Sequence, residues 1–259
     1  MSNVNDFAKL LDDAARESKA INQIDPDGKL SLRDAYAVQA ASIQRRIARG
    51  EKRVGVKMGF TSRSKMAQMG LHDVIWGRLT DAMLVEEGGA TEFSRYVHPR
   101  AEPELAFILK KPLAGSVTAA EALAAVEAVA PAIEIIDSRY VDFKFSLPDV
   151  IADNASSSGF VVGPWCDPRQ DFGNLGLALQ IDGRVVQVGS TAAILGHPIR
   201  SLVAAARLSA EAGEPLQAGW IVMAGGATAA EWIKPGNYVS VEVERLGGCG
   251  FHAGVKHER

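Results

Sequence analysis

Glu102 and Glu104 stand two residues apart in HPRAEPELAFIL (98–109), just ahead of the apolar run Leu105–Leu109. On a β-strand, side chains at i and i+2 leave the same face, so this spacing presents two carboxylates together. If that face meets water, both are simply hydrated. The run that follows does not alternate with polar residues, which is the pattern of a strand covered on both sides. A third glutamate, Glu134, lies among Ile133, Ile135 and Ile136. Unpaired carboxylates in such surroundings are costly, and several together repel. A divalent cation resolves both problems. Three carboxylate oxygens suit Mg²⁺ or Mn²⁺, whereas two cysteines and five histidines give little material for zinc. Spacing alone leaves the solvated face and the metal site both open.

Other residues carry chemistry less directly. Lys57, in GVKMGF, sits in an apolar strand between glycines, either snorkelling at an edge or held near anionic ligands. The run ASSSG (155–159) offers hydroxyls and backbone N–H groups to a carboxylate, or is an ordinary polar loop. His98 precedes Pro99 and reads as a strand-entry residue; His197, in LGHP, reads as structural. GGATAAEW (225–232) lacks both the Walker lysine and the dinucleotide glycine spacing, so it is no phosphate loop.

These candidates need a scaffold. Phe7, Leu10, Leu11 and Ala14 recur at helical spacing until a DPDG turn at 25–28. Ser31, three before Asp34, caps a second helix that Gly50 closes. From residue 53 the texture changes to short apolar runs with glycine: RVGVKMGF, ELAFILK and AIEIID read as strands. Thr118 with Glu121 forms a capping box ahead of an alanine-rich helix over 119–130, which Pro131 ends. In LALQIDGRVVQVG, Asp182-Gly183 predicts a two-residue hairpin turn. A last helix runs to Gly213, and the remaining chain is strand-like. Helices come first and strands dominate later without βαβ alternation, which predicts an α+β fold. The division is a helical region over 1–52 followed by a mixed β catalytic domain over 53–259.

The totals narrow the function. The chain has 259 residues, 47% of them hydrophobic, and a formal net charge of −3. That composition supports a real core and offers no basic patch for nucleic acid. No signal-peptide core and no membrane-length apolar span is seen, and Cys166 and Cys249 read as structural thiols in a reducing cytoplasm.

Six motifs then fall in order over some two hundred residues: KMGFTS (57–62), G-x-L-T-D (77–81), H-P-R-x-E-x-E-x-A-F (98–107), AIEIIDSR (132–139), DNASSSGFVVG (153–163) and GHP (196–198). In these the chain resembles the 2-keto-4-pentenoate hydratase and 4-oxalocrotonate decarboxylase family, relatives of fumarylacetoacetate hydrolase. The resemblance implies a helical N-terminal part before a mixed β-roll. It implies a Mg²⁺ or Mn²⁺ ion held by Glu102, Glu104 and Glu134, a functional Lys57 beside it, and substrate-carboxylate contacts from Ser156 and Ser158. Hydratases of the family carry P-D-[FY]-G before the L-T-D element; here the stretch is Val74-Ile75-Trp76-Gly77, with Ile75 in the aspartate's place. TSRSKMAQMG and AGGATAA also look more like the decarboxylase branch. The implied activity is metal-dependent decarboxylation of a small 2-oxo dicarboxylate, 2-oxo-3-hexenedioate, in meta-cleavage catabolism of aromatic compounds. Hydration of 2-hydroxypenta-2,4-dienoate is the alternative, and a non-catalytic partner subunit a more distant one. An apolar wall near Ile75 and Trp76 would suit a departing carboxylate, while Arg63 and Lys65 form either a solvated helix face or a hold on the substrate's far end. A homo-oligomer and a complex with a cognate hydratase belong to the same expectation.

Overall fold

The computed structural model describes residues 3–62, 66 and 73–254; Arg63 and Lys65 lie outside them. Two helices open the chain, α1 (Val4–Glu17) and α2 (Leu32–Ala48). Ser31 caps α2 by accepting from the Asp34 N–H at 3.0 Å, and Gly50 follows its end at φ 107°. On α1 the buried stripe is Ala8, Leu11, Asp12 and Ala14, rotated away from Leu10, which is 44% exposed. The rotation brings Asp12 inward. Its carboxylate accepts from Arg49 at 2.6 and 2.7 Å and from Arg45 at 2.9 Å, locking the two helices together.

Twelve strands follow among the described residues: β1 (Arg53–Gly59), β2 (Ile75–Thr80), β3 (Ala90–Glu92), β4 (Arg100–Leu109), β5 (Val126–Ile136), β6 (Ser157–Val162), β7 (Gly176–Ile181), β8 (Arg184–Ser190), β9 (Ile221–Met223), β10 (Glu231–Trp232), β11 (Tyr238–Val243) and β12 (Gly247–Gly254). Between them run α3 (Ala119–Ala125), α4 (Leu147–Ala152) and α5 (Ile199–Glu211). One sheet has the order β2-β1-β9-β4-β5-β6, with β10 on β4; the other is β3-β12-β11-β7-β8. Only β1–β9 and β3–β12 are parallel among the described pairs. The main core includes Phe107, Ile133, Leu179, Val239 and Phe251, drawn from both sheets. The helical layer covers edge strand β2: Leu11, Ala35 and Val38 pack with Ile75, Tyr140 and Ile151. This is the α+β plan of a helical N-terminal part followed by a mixed β-roll.

One element differs from its sequence reading. The helix expected over 119–130 stops at Ala125, and Val126–Ile136 form β5. Alanine is the strongest helix former, but intrinsic propensity is a weak determinant beside tertiary context. Val126 and Val129 instead pair with Leu109 and Phe107 of β4 and are fully buried, so tertiary pairing overrides local propensity. Pro131 therefore lies inside β5. Its missing N–H falls where β6 has ended, since its carbonyl already accepts from Gly163. Pro103 is tolerated in β4 for a related reason. Its carbonyl accepts from Ala227, in the gap where the neighbour of β4 changes from β9 to β10. The Asp182-Gly183 hairpin is as expected, with φ of 52° and 75° matching a primed turn.

Candidate metal centre

The sheet register brings the acidic residues together. Glu102 of β4 lies opposite Glu134 of β5, and Glu104 follows two residues along on the same face. One carboxylate oxygen from each of the three lies within 4.8 Å of the others. Glu104 and Glu134 are fully buried; Glu102 is partly exposed. Glu104 Oε2 accepts from the Gly225 N–H at 2.8 Å, whereas Glu104 Oε1 and both oxygens of Glu134 have no hydrogen-bond partner. Burial, and then the neighbouring Glu134 and Glu102, push the Glu104 carboxyl well above the ordinary range. Buried acceptors without donors are what a hard cation relieves. An all-oxygen set with no histidine or cysteine fits Mg²⁺ or Mn²⁺.

Lys57 stands beside this group, 97% buried. Its Nζ lies 3.0 Å from Glu134 Oε2, an ion pair without hydrogen-bond geometry, and donates to the Ala155 carbonyl at 2.9 Å. Burial pulls the ammonium's pKa down, but Glu134, Glu102 and Glu104 more than offset this and raise it overall. The 3.0 Å contact with Glu134 is the pairing an ammonium makes.

The Ala155 carbonyl is aimed by an unusual turn. Asn154, Ala155 and Ser156 all have positive φ, at 51°, 53° and 59°. Left-handed backbone costs L-residues roughly 1–2 kcal/mol each, so surrounding contacts must hold it. The Asn154 amide pairs with the backbone of Arg78 on β2, accepting at 2.7 Å and donating at 2.9 Å. Arg139 contacts the Asp153 carboxylate through Nε and donates to its carbonyl at 2.6 Å. Burial pushes the Asp153 carboxyl up to about 6 despite that arginine. Gly77 gives the turn room, because a Cβ there would stand 2.5 Å from the Asn154 carbonyl oxygen and 3.2 Å from Lys57 Cδ. Across the site, a Cβ on Gly226 would stand 3.1 Å from the Glu102 carboxylate.

The remaining expected residues divide. Ser156 is buried in the turn with an unpartnered hydroxyl. Ser158 accepts from Arg139 at 2.5 Å and lines a cavity of about 390 Å³ whose lining contains none of the three glutamates. Ile75 faces the Lys57 side of β2: a Cβ on Gly59 would meet Ile75 Cγ1 at 2.9 Å and Lys57 Nζ at 3.7 Å. Trp76 does not join it. Strand alternation turns Trp76 to the other face, stacked on Tyr36 with Arg78 over its ring at 4.5 Å. His197 Nδ1 accepts from Ile199 at the start of α5, a structural role. Cys249 is buried, which pushes its thiol up to about 12. Asn154, the Ala155 carbonyl, Gly77 and Gly225 were not singled out from sequence. Glycines inside G-x-L-T-D and AGG were the available signal.

Among the described residues no helix is long and apolar enough to cross a membrane. Residues 53–252 match the fumarylacetoacetate (FAA) hydrolase C-terminal family. The chain is 60% identical to a 4-oxalocrotonate decarboxylase of Pseudomonas sp, over 95% of this chain and 96% of that one. It is 42% identical to a 2-hydroxypent-2,4-dienoate hydratase of Pseudomonas putida, over 66% of this chain and 78% of the relative. Its fold superposes with a TM-score of 0.92 on 4-oxalocrotonate decarboxylase from Pseudomonas putida G7, complexed with magnesium and adipate, at 39% identity over 96% of both chains. With that likeness, and with the β-roll and its acidic trio in place, the chain belongs to the fumarylacetoacetate hydrolase family.

Proposed function

We propose that the protein is a divalent-cation-dependent carboxy-lyase converting 2-oxo-3-hexenedioate (4-oxalocrotonate) to 2-hydroxypenta-2,4-dienoate and CO₂ in meta-cleavage catabolism. The observation that carries this is the trio of converging glutamates, with buried oxygens of Glu104 and Glu134 that lack a hydrogen-bond donor, beside the Lys57 ammonium. The 60% identity to a decarboxylase supports this branch over the hydratases. Glu102, Glu104 and Glu134 would hold Mg²⁺ or Mn²⁺, which when bound supplies Lewis acidity towards the substrate's 2-oxo group.

The chain's own residues supply the rest. As the C5–C6 bond breaks, C6 leaves as CO₂ and its electron pair forms C4=C5. The alkene pair moves to C2=C3, the C2 oxygen takes the negative charge, and protonation there completes the hydroxydiene. Lys57 stabilises charge developing at that oxygen, held in place by Ala155 and Glu134. The unpartnered Ser156 hydroxyl is available to the C1 carboxylate. Ile75 offers no acid where a hydratase would need one, and walls the site with apolar surface instead. Ser158 is further from this role, being engaged by Arg139.

Purified protein with Mg²⁺ should release CO₂ in step with loss of 2-oxo-3-hexenedioate. EDTA should abolish turnover, and added Mg²⁺ restore it. Undiminished CO₂ release from metal-free protein would rule the mechanism out; loss of the dienoate without CO₂ would favour the hydratase. A homo-oligomer, a complex with the hydratase that consumes the product, a cytoplasmic location and a catalytic part beginning at residue 53 accompany this reading. Co-elution with the hydratase in size-exclusion chromatography tests the partnership.

A further inference from the structure

We infer that Gln39, in the helical region ahead of the family match, positions Lys57 by clamping β2 to the end of α4. The inference rests on the oxyanion role proposed for Lys57 and adds a positioning residue behind it. Gln39 lies midway along α2 and is fully buried, with Ala35, Val38 and Ile43 the other buried residues of that helix. A carboxamide on an apolar helix face is costly unless its donors and its acceptor are met. Here all are. Nε2 donates to the Trp76 carbonyl at 3.1 Å and to the Ile151 carbonyl at 2.7 Å, while Oε1 accepts from Arg78 Nη1 at 2.5 Å. Two carbonyls and a guanidinium admit only this orientation of the amide.

Each backbone partner is a group that its own element leaves open. β2 is the edge of its sheet, so the outward groups of Trp76 and Arg78 have no strand to meet. Side chains meet them instead: Gln39 takes the Trp76 carbonyl, and Asn154 takes both backbone groups of Arg78. The Ile151 carbonyl lies in the last turn of α4, where carbonyls lack an intrahelical donor. Three residues on, Asn154 begins the left-handed turn whose Ala155 carbonyl holds Lys57 Nζ at 2.9 Å. Lys57 itself stands on β1 opposite Gly77 of β2. The contacts close a ring, from α2 to β2, from β2 to β1 and Lys57, and from Lys57 through the turn and α4 back to Gln39. Arg78 is fixed in addition by Glu214 at 2.6 Å, which keeps the β2 side of the ring in register.

Such a clamp is read in kcat. Lys57 meets charge that develops only as the carboxylate leaves, so a displaced ammonium lowers kcat and kcat/KM together. Misplacement by about 1 Å through a remote substitution costs up to roughly 10²-fold.

Gln39→Met keeps the volume and removes every one of these hydrogen bonds. It should lower kcat about 10- to 100-fold, with KM for 2-oxo-3-hexenedioate and the stoichiometry of Mg²⁺ binding unchanged. Asp12→Asn is the control, because it weakens the lock between α1 and α2 at Arg45 and Arg49 and touches neither β2 nor α4. It should lower the melting temperature and keep kcat, the pattern of a residue that only stabilises the fold. Crystal structures of the Mg²⁺-loaded wild type and Gln39→Met then read the placement directly. The Lys57–Ala155 contact should open beyond hydrogen-bond reach in the variant. Gln39→Glu, which keeps the acceptor for Arg78 and loses both donors, takes its place if the methionine variant does not fold. An intact contact would overturn the inference, whatever the rate. An open contact with wild-type kcat would leave the clamp standing and remove Lys57 from the chemistry. A wild type that releases no CO₂ would sink the proposed function, while the crystals still judge the clamp.

Discussion

Lys57 and Glu104 share one buried space, and their charges set opposite expectations for substitution. Lys57→Ala removes the ammonium proposed to face the substrate's C2 oxygen and should lower kcat by about 10²–10³, the effect of losing one oxyanion donor. The same change removes a positive charge lying 3.0 Å from Glu134. Mg²⁺ affinity should therefore hold or tighten, as a titration of the variant would show. Glu104→Gln should do the reverse to the cation. Its carboxyl is fully buried and receives one backbone N–H. A neutral amide there should weaken Mg²⁺ binding by more than the roughly 10–100-fold typical of outer-shell changes. A wild-type Mg²⁺ affinity in that variant would remove Glu104 from the ligand set.

At the scale of elements, the left-handed turn at 154–156 and strand β2 form one device. Gly77→Ala would force its methyl group against the Asn154 carbonyl, displacing the turn that holds Lys57. We expect turnover to fall at least tenfold with little change in helix content, measured by steady-state kinetics beside circular dichroism. This device was barely legible in the sequence. The E-x-E spacing and Glu134 among isoleucines showed the acidic face, because strand periodicity alone fixes which side chains share it. The hairpin at 182–183 and the Ser31 cap were legible for the same local reasons. A backbone carbonyl carries no residue signature, however, and three successive positive φ values in Asn-Ala-Ser follow from contacts with β2 and Arg139, not from local preference. The over-long helix at 119–130 failed likewise, since β4 lies outside any local window. Trp76 was misplaced for want of knowing which face of β2 met the site.

For the molecule as a whole, pH should act through carboxyls of opposite sign. Burial raises Glu214, but Arg78 and Arg53 more than offset this, so its folded-state pKa lies below the ordinary value of 4.5. A depressed carboxyl stabilises the fold above its unfolded pKa, and that contribution is lost as pH falls through the folded one. Asp153, raised from 3.8 to about 6, behaves in the opposite sense. Its contribution is complete below 3.8 and disappears as pH rises through about 6. Glu214→Gln should therefore flatten the acid limb of a melting-temperature profile below pH 4.5, and Asp153→Asn the slope between 3.8 and 6. Unaltered profiles would discard both assignments. The sheet order carries one more consequence. Within the sheet, the Lys57 strand joins the glutamate strands through β9, whose three residues Ile221–Met223 sit between β1 and β4, while the turn at 154–156 links β2 to β6 from outside it. A nascent chain that has left the ribosome only to residue 220 already holds the three glutamates, the lysine and the turn at 154–156, yet lacks the strand that joins β1 to β4. Closure of the sheet beneath the site waits for that late splice, so a chain ending at residue 220 should bind Mg²⁺ more weakly than the full-length protein.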